Sequence, residues 1–216
     1  MRQINFGIFC ITILLVLTQS CHASIVVPDS GFEDSTSGSF WTSFGTANFD
    51  APAPGIAPSI EGIETLQLCG SGDATFSGVF QDVAVDGASI SVGDQVAVTG
   101  ILGHTSNDPL SGLNTAFLEV SFVNAAGVEF MDSTFTSVRL SSTSPTDIYQ
   151  NSITTFATVP GNAVEVRVKA VFEQASFDGL SGSAWADNLE LIVVPEPASG
   201  LMLAIGLFAI AAKRKR

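Results

Sequence analysis

From residue 24 onward the chain alternates apolar and polar positions with period two, and the alternation is interrupted by Gly, Asp, Asn, Ser and Pro. That pattern belongs to antiparallel sheets with one wet face. The clearest stretch runs from Ala163 to Glu173. Val164, Val166, Val168, Ala170 and Phe172 fall on one face, and Glu165, Arg167, Lys169 and Glu173 on the other. Thr115 to Val123 repeats it with Leu118, Val120 and Phe122 inward and Glu119 and Ser121 outward. Further strands are predicted over Ile25 to Val27, Phe40 to Asn48, Glu64 to Cys69, Ala74 to Val83, Gln95 to Leu102, Phe135 to Leu140, Ser152 to Val159 and Trp185 to Val193.

Turn chemistry separates these runs, at Asp86-Gly87, Val92-Gly93-Asp94, Ala126-Gly127 and Pro160-Gly161-Asn162, where glycine supplies positive φ and proline a fixed one. No stretch holds a helical period for three turns. About ten short strands with regular turns predict an all-β antiparallel sandwich of the jelly-roll kind. Four connections, Phe49 to Gly62, His104 to Asn114, Ser141 to Asn151 and Gln174 to Ser183, are longer than hairpins need, and loops of this kind carry binding sites on sandwiches.

The two ends break the pattern. Phe6 to Leu17 is an apolar run behind Arg2, long enough for the core of a signal peptide (about 7 to 15 residues) and short of the roughly 20 that span a bilayer. Residues 1–23 therefore read as a signal peptide, cleaved after Ala23 so that Ser24 begins the mature chain. The competing reading is a lipoprotein lipidated on Cys21, against which Gln19 stands where a small residue is preferred. At the other end Pro195, Glu196 and Pro197 stop the last strand, because proline gives no amide hydrogen to a ladder. An apolar run from Ala198 to Ala212 follows, roughly 22 Å as a helix, and Lys213, Arg214, Lys215 and Arg216 then stop transfer and stay inside.

The order Pro-Glu-Pro, apolar span, basic cluster resembles the PEP-CTERM sorting signal. The resemblance implies processing by signal peptidase and an exosortase-like enzyme. It also implies a transient anchor through a single transmembrane sorting helix, then delivery to the cell surface or an extracellular matrix. An ordinary tail anchor is the other reading. The organisation is thus signal peptide 1–23, sandwich 24–194 and sorting tail 195–216.

With both ends removed, Arg139, Arg167 and Lys169 are the only cations against 20 acids, a charge near −17. Such a surface argues against nucleic acid and anionic membranes, whose phosphates need basic partners. It leaves divalent cations as partners, or the acids as solubilising charge. Cys69 is the one mature cysteine, so no disulfide forms within the domain, and its place in a strand reads as a buried, inert thiol.

The domain has a second likeness. Val27-Pro28-Asp29-Ser30-Gly31-Phe32-Glu33 with Trp41 beyond it, Gly78-Val79-Phe80-Gln81-Asp82-Val83, Thr158-Val159-Pro160-Gly161 and the closing Trp185-Ala186-Asp187-Asn188-Leu189-Glu190-Leu191 are similar to carbohydrate-binding-module jelly rolls of the galactose-binding-like type. That resemblance implies a structural calcium joining first and last strands. Glu33 and Asp187 are the residues carried over, unless both simply cap turns. Sugar binding would need exposed aromatic faces. Trp41 and Trp185 read as core, and Tyr149, in the Ser141 to Asn151 loop, is the exposed candidate.

His104 is the only mature histidine and reads as a solvated loop residue. No nucleophile elbow, zinc-protease helix or phosphate loop appears. The sequence supports first a non-enzymatic, exosortase-sorted surface or matrix protein. The alternative is a carbohydrate-binding module acting on exopolysaccharide, and behind both stands a secreted hydrolase.

Overall fold

The computed structural model describes residues 23–33, 40–52, 64–70, 76–130, 134–175 and 182–195. The expected leader core, sorting helix and basic cluster, including Glu196, Pro197, Lys213, Arg214, Lys215 and Arg216, lie outside the described residues. So do parts of the loops at Phe49 to Gly62 and Gln174 to Ser183. Among the described residues no helix is long and apolar enough to cross a membrane.

The described elements are all strands: β1 Ala23–Val26, β2 Thr42–Phe44, β3 Ala47–Pro52, β4 Glu64–Cys69, β5 Phe76–Ala84, β6 Gln95–Gly103, β7 Thr115–Asn124, β8 Phe135–Thr136, β9 Leu140–Ser141, β10 Gln150–Ile153, β11 Ala157–Thr158, β12 Ala163–Glu173 and β13 Ser183–Val194. Three strands predicted as single runs are interrupted. Phe135 to Leu140 divides into β8 and β9. Phe40 to Asn48 divides into β2 and β3, with Gly45 at φ +64 between them, and Ser152 to Val159 divides into β10 and β11.

They form two antiparallel sheets. The larger runs β10-β6-β13-β4-β3 with β1 on β13 and β11 on β6, and the smaller runs β2-β5-β12-β7-β8 with β9 on β7. The inner faces meet in one core built from both. β13 and β6 supply Leu189, Leu191, Val193, Val98 and Leu102, and β12 and β7 supply Val166, Val168, Phe172, Leu118 and Phe122. Each such side chain taken fully from water contributes roughly 1.5 to 3 kcal/mol, and with no disulfide among the described residues this packing holds the sandwich.

The predicted parity holds along β12 except at its start, where the register against β7 shifts between Ala163 and Glu165. The bulge turns Val164 out to 40% exposure and puts Ala163 into the core instead. Ser121, expected on the wet face, is completely buried because that face is covered by charge. Arg139, Arg167 and Lys169 all stand on the outer face of the smaller sheet. Arg167 binds Asp82 through two bonds of 2.7 Å and lies 4.0 Å over the Phe80 ring. Arg139 lies 4.0 Å over Phe117 and pairs with Glu173. Lys169 bonds Glu119 at 2.7 Å and also pairs with Glu129, which Arg167 reaches at 3.5 Å.

Burial pushes the Glu129 carboxyl up, but the Lys169 and Ser121 hydrogen bonds and the charges of Lys169 and Arg167 outweigh it and hold the group below its ordinary value. A carboxyl with a depressed folded pKa adds stability above its unfolded value, about 4.3, and loses it as pH falls through the lower folded value. Glu129→Gln is therefore expected to lower stability by about 1 kcal/mol at pH 7 and to flatten the loss between pH 5 and 3. Urea midpoints of both proteins across that range check it, and parallel pH curves would refute the role assigned to Glu129.

Candidate functional site

The site lies on the outer face of the larger sheet and depends on an irregularity in its central strand. β13 pairs in register with β6 at Trp185 to Asp187 and again from Glu190, with a shift between Asp187 and Glu190. Asn188 sits there at φ 52, a left-handed backbone that Asn tolerates better than most residues. Its amide bonds the Asp187 Oδ1 at 2.7 Å, and the Leu189 amide, turned from the ladder, donates to the Ser30 carbonyl at 3.0 Å. The bulge reverses parity. Leu189, Leu191 and Val193 face the core, whereas before it Ala184 and Ala186 do, leaving Trp185 and Asp187 on the opposite face.

The first turn is thereby fastened to the last strand. Asp29 and Phe32 both have positive φ, and the Phe32 amide closes the turn onto the Asp29 carbonyl at 3.1 Å. Trp41 Nε1 donates to that same carbonyl at 3.0 Å, and its ring packs on Phe32 at 5.0 Å between centroids. Trp41 is core, as the alternation predicts. Glu33 is exposed at the end of this turn, while Asp187 is fully buried. Among the described residues no three of His, Cys, Asp and Glu gather to hold a metal.

Trp185 is 7% exposed, yet it stands apart from the main core and packs with Tyr149 alone. Sequence reading places Trp185 in the core, and it is buried, in a cluster of its own, whereas Tyr149, expected out in solvent, is half-buried against it. Trp185 pairs with Gly103 of β6 and Gln67 of β4. Gly103 has no side chain, and a Cβ there would stand 3.0 Å from Tyr149 Cδ1. The ring therefore lies over the gap beside Trp185 and is half-buried. Gln67 Nε2 donates to Ser183 Oγ at 3.1 Å along the same row, and Thr65 is fully buried in β4. Trp185 Nε1 and the Tyr149 hydroxyl are buried without a protein partner of full hydrogen-bond geometry, although Thr65 lies close enough to the phenol to act on its ionisation.

Two loops set Tyr149 in place. His104, expected to be solvated, is completely buried and clasps them. Its Nδ1 accepts from the Leu110 amide at 3.1 Å, so the proton sits on Nε2, which donates to the Ser144 carbonyl at 3.0 Å. Asp147 completes the clasp. Its amide donates to the His104 carbonyl at 2.8 Å, and its Oδ1 accepts from the Ser106 amide at 2.9 Å. That second bond, ahead of other local contacts, holds its carboxyl below the ordinary value. The neighbouring loop turns at Gly182, φ 67, where a Cβ would overlap the Pro109 carbonyl, and Ser183 N reaches the Asp108 carbonyl at 3.3 Å. Cys69 nearby is half-buried and free, and burial, with the Asp108 charge adding to it, pushes its thiol up and away from reactivity.

What joins Tyr149 to Trp185 is the pairing of β10, β6 and β13, and the single sequence signal for it is Gly103 set between two strands that carry aromatics on one face.

Burial pushes the Tyr149 phenol up to about 12; the Thr65 hydroxyl opposes that rise and the Asp187 charge adds to it. The unfolded chain releases this proton near pH 10, so above pH 10 it binds fewer protons than the folded state and stability falls with further alkali. Tyr149 is the only tyrosine in the sequence. Absorbance at 295 nm is therefore expected to rise only well above pH 10 in the folded protein and near pH 10 in urea. Coincident curves would overturn the burial described here.

The comparisons bear on both parts of the chain. The PEP-CTERM protein-sorting motif matches residues 193–216. No curated protein matches the chain. Among solved structures it is similar to a cyclase from Fischerella sp. TAU in complex with 4-(1H-indol-3-yl)butan-2-one, at 10% identity over 80% of this chain and 98% of that one, with TM-score 0.53. It also resembles the C-terminal family 22 carbohydrate binding module of Clostridium thermocellum Xyn10B, at 14% identity over 76% and 90%, with TM-score 0.48. The enzymatically active domain of bacteriophage CBA120 tailspike protein 4 is similar at 13% identity and TM-score 0.49 over 77% of this chain, which spans only 21% of that one. At these identities the likeness concerns the fold alone.

Proposed function

We propose that the chain is exported, processed by an exosortase-type enzyme and displayed at the cell surface or in the extracellular matrix, with a sandwich that performs no catalysis. The observation that carries this is the sorting motif at 193–216 beginning where the last strand of a folded, acidic domain ends. The absence of catalysis is supported by His104, whose two ring nitrogens are both engaged with backbone groups and so have no proton to exchange with a substrate. Intact mass of the protein recovered from the host surface and medium is expected to begin at Ser24 and to lack Lys213 to Arg216. A mass that retains those four residues would make this a membrane-anchored domain and remove the matrix reading.

A second reading is favoured by the outer face of the larger sheet, and it is binding of exopolysaccharide. Half-buried Tyr149 supplies apolar ring surface backed by the buried Trp185, and the partly exposed Gln67 lies in the same row. A sugar presents the same combination of C–H face and hydroxyls. The mature cations all stand on the other sheet in ion pairs, so this face suits a neutral glycan over one bearing uronate or sulfate. In affinity gels, neutral matrix polysaccharide is expected to retard the native domain, and Tyr149→Ala is expected to restore its mobility. Unchanged mobility of the native domain on every polysaccharide would sink the binding reading and leave the first one standing.

A further inference from the structure

Two groups on the outer face of the larger sheet are buried under a single ring. Trp185 and Asp187 stand two residues apart on β13, about 7 Å along the strand and on the same side of it. Trp185 is 7% exposed and Asp187 is wholly buried, although the outer face of an antiparallel sheet is open to water unless something lies over it. What lies over it is Tyr149. Gly103, opposite Trp185 in β6, leaves the space that the ring occupies. The phenol reaches far enough to be acted on by Thr65 of β4 and by the charge of Asp187.

This cover leaves hydrogen bonds unmade. Trp185 Nε1 and the Tyr149 hydroxyl are shut in without a protein partner of full hydrogen-bond geometry, a loss that a buried donor carries until a partner reaches it. The cover is also held at two points only. On one side Tyr149 precedes Gln150, the first ladder residue of β10, which pairs with Leu102. On the other, Asp147 has φ 59. Its amide donates to the His104 carbonyl at 2.8 Å, and its Oδ1 accepts from the Ser106 amide at 2.9 Å. Ile148 and Tyr149 bridge these fixed points. Ile148 is exposed, and the Tyr149 ring packs inward on Trp185 alone.

We propose that Tyr149 is a lid, closed in this structure, that swings outward between Asp147 and Gln150 to admit a neutral glycan onto Trp185 and Asp187. The proposal rests on the glycan-binding reading above and adds how that site opens. Open, β13 presents an indole face and its N–H beside a carboxylate. A sugar ring lays its C–H face on the indole. One of its oxygens accepts from Trp185 Nε1, and one of its hydroxyls donates to the Asp187 carboxylate. The Tyr149 ring, moved aside, is left to pack against the sugar. A carboxylate in the site, within a domain of three cations against 20 acids, repels uronate and sulfate. Closed, the ring occupies the sugar's place, so the apparent affinity is lowered by the fraction of molecules that are open.

Gly103→Ala wedges the lid. Gly103 lies at the end of β6 without a positive φ, and the added Cβ would stand 3.0 Å from Tyr149 Cδ1 and 3.1 Å from the Ile148 carbonyl, both on the lid. The full-length protein is used, and Trp185→Phe in each background subtracts the signal of Trp41. In Gly103→Ala, acrylamide quenching of Trp185 is expected to rise roughly threefold or more, and retardation in gels of a soluble neutral glucan to need roughly threefold less glucan than the native protein needs. Asp147→Gly keeps the positive φ and removes the bond to Ser106. It is expected to move both readouts the same way, which keeps the test decisive if the wedge prevents folding. Native quenching in both variants, with urea midpoints showing them folded, would overturn the lid. Raised quenching with retardation no stronger than native would overturn its part in ligand entry. If no neutral polysaccharide retards the native protein or either variant, the glycan reading itself fails and the gate falls with it, an outcome that the ligand-free quenching keeps distinct from a lid that never opens.

Discussion

The constraint on which the rest of the structure depends is the break in β13 at Asp187 and Asn188. Without the extra residue there, the strand's apolar set would point to one face before the break and to the other after it, and the core would lose either Ala184 and Ala186 or Leu189, Leu191 and Val193. The bulge also releases the Leu189 amide from the sheet so that it can hold the Ser30 carbonyl. The first turn, anchored again by Trp41 Nε1 on Asp29, is then locked across the end of the sandwich. These bonds do the work that a crosslink between the first and last strands would do. They join residues more than 150 positions apart, which is where loop closure is most costly in the unfolded chain.

Charge is divided between the sheets. With three cations against 20 acids, the domain could have scattered its positive charge, but Arg139, Arg167 and Lys169 all lie on the outer face of the smaller sheet. There each neutralises acids from neighbouring strands, and the two arginines cover Phe80 and Phe117. The covered rings and the buried Ser121 make this an outer face sealed by salt bridges, an arrangement that contributes through desolvated hydrogen bonds and cation contact with aromatic faces more than through simple charge pairing. Among the described residues the larger sheet carries no cation on its outer face and keeps instead the Trp185 and Tyr149 pair beside Thr65 and Gln67. The two faces are therefore chemically distinct, one closed by charge and one built of neutral polar and aromatic groups.

Much of this was legible in the alternation. The long strands β5, β6, β7, β12 and β13 fall within a residue or two of their predicted bounds, and the inward set of β7 is fully buried as expected. What the alternation could not carry was register. Val164 is exposed because a bulge shifts β12 by one residue, an event no period-two pattern contains. Tyr149 and Trp185 meet because β10, β6 and β13 are neighbours in that order, and nothing local to either residue says so. His104 reads as solvated because Ser, Asn and Asp follow it, yet its ring is held between the Leu110 amide and the Ser144 carbonyl, which the local sequence does not reveal. Glu33 and Asp187 were paired by likeness to other sandwiches; the fold brings their segments to one end but leaves one carboxylate in water and the other buried.

The same register explains why the ends of the domain cannot be treated as appendages. Val193 is at once a core residue, a ladder partner of Val96 and the first residue matched by the sorting motif. The motif match thus overlaps the folded sheet by two residues, Val193 and Val194. Pro195 sharpens the boundary, since it has no amide to extend the ladder and the sheet must stop at Val194.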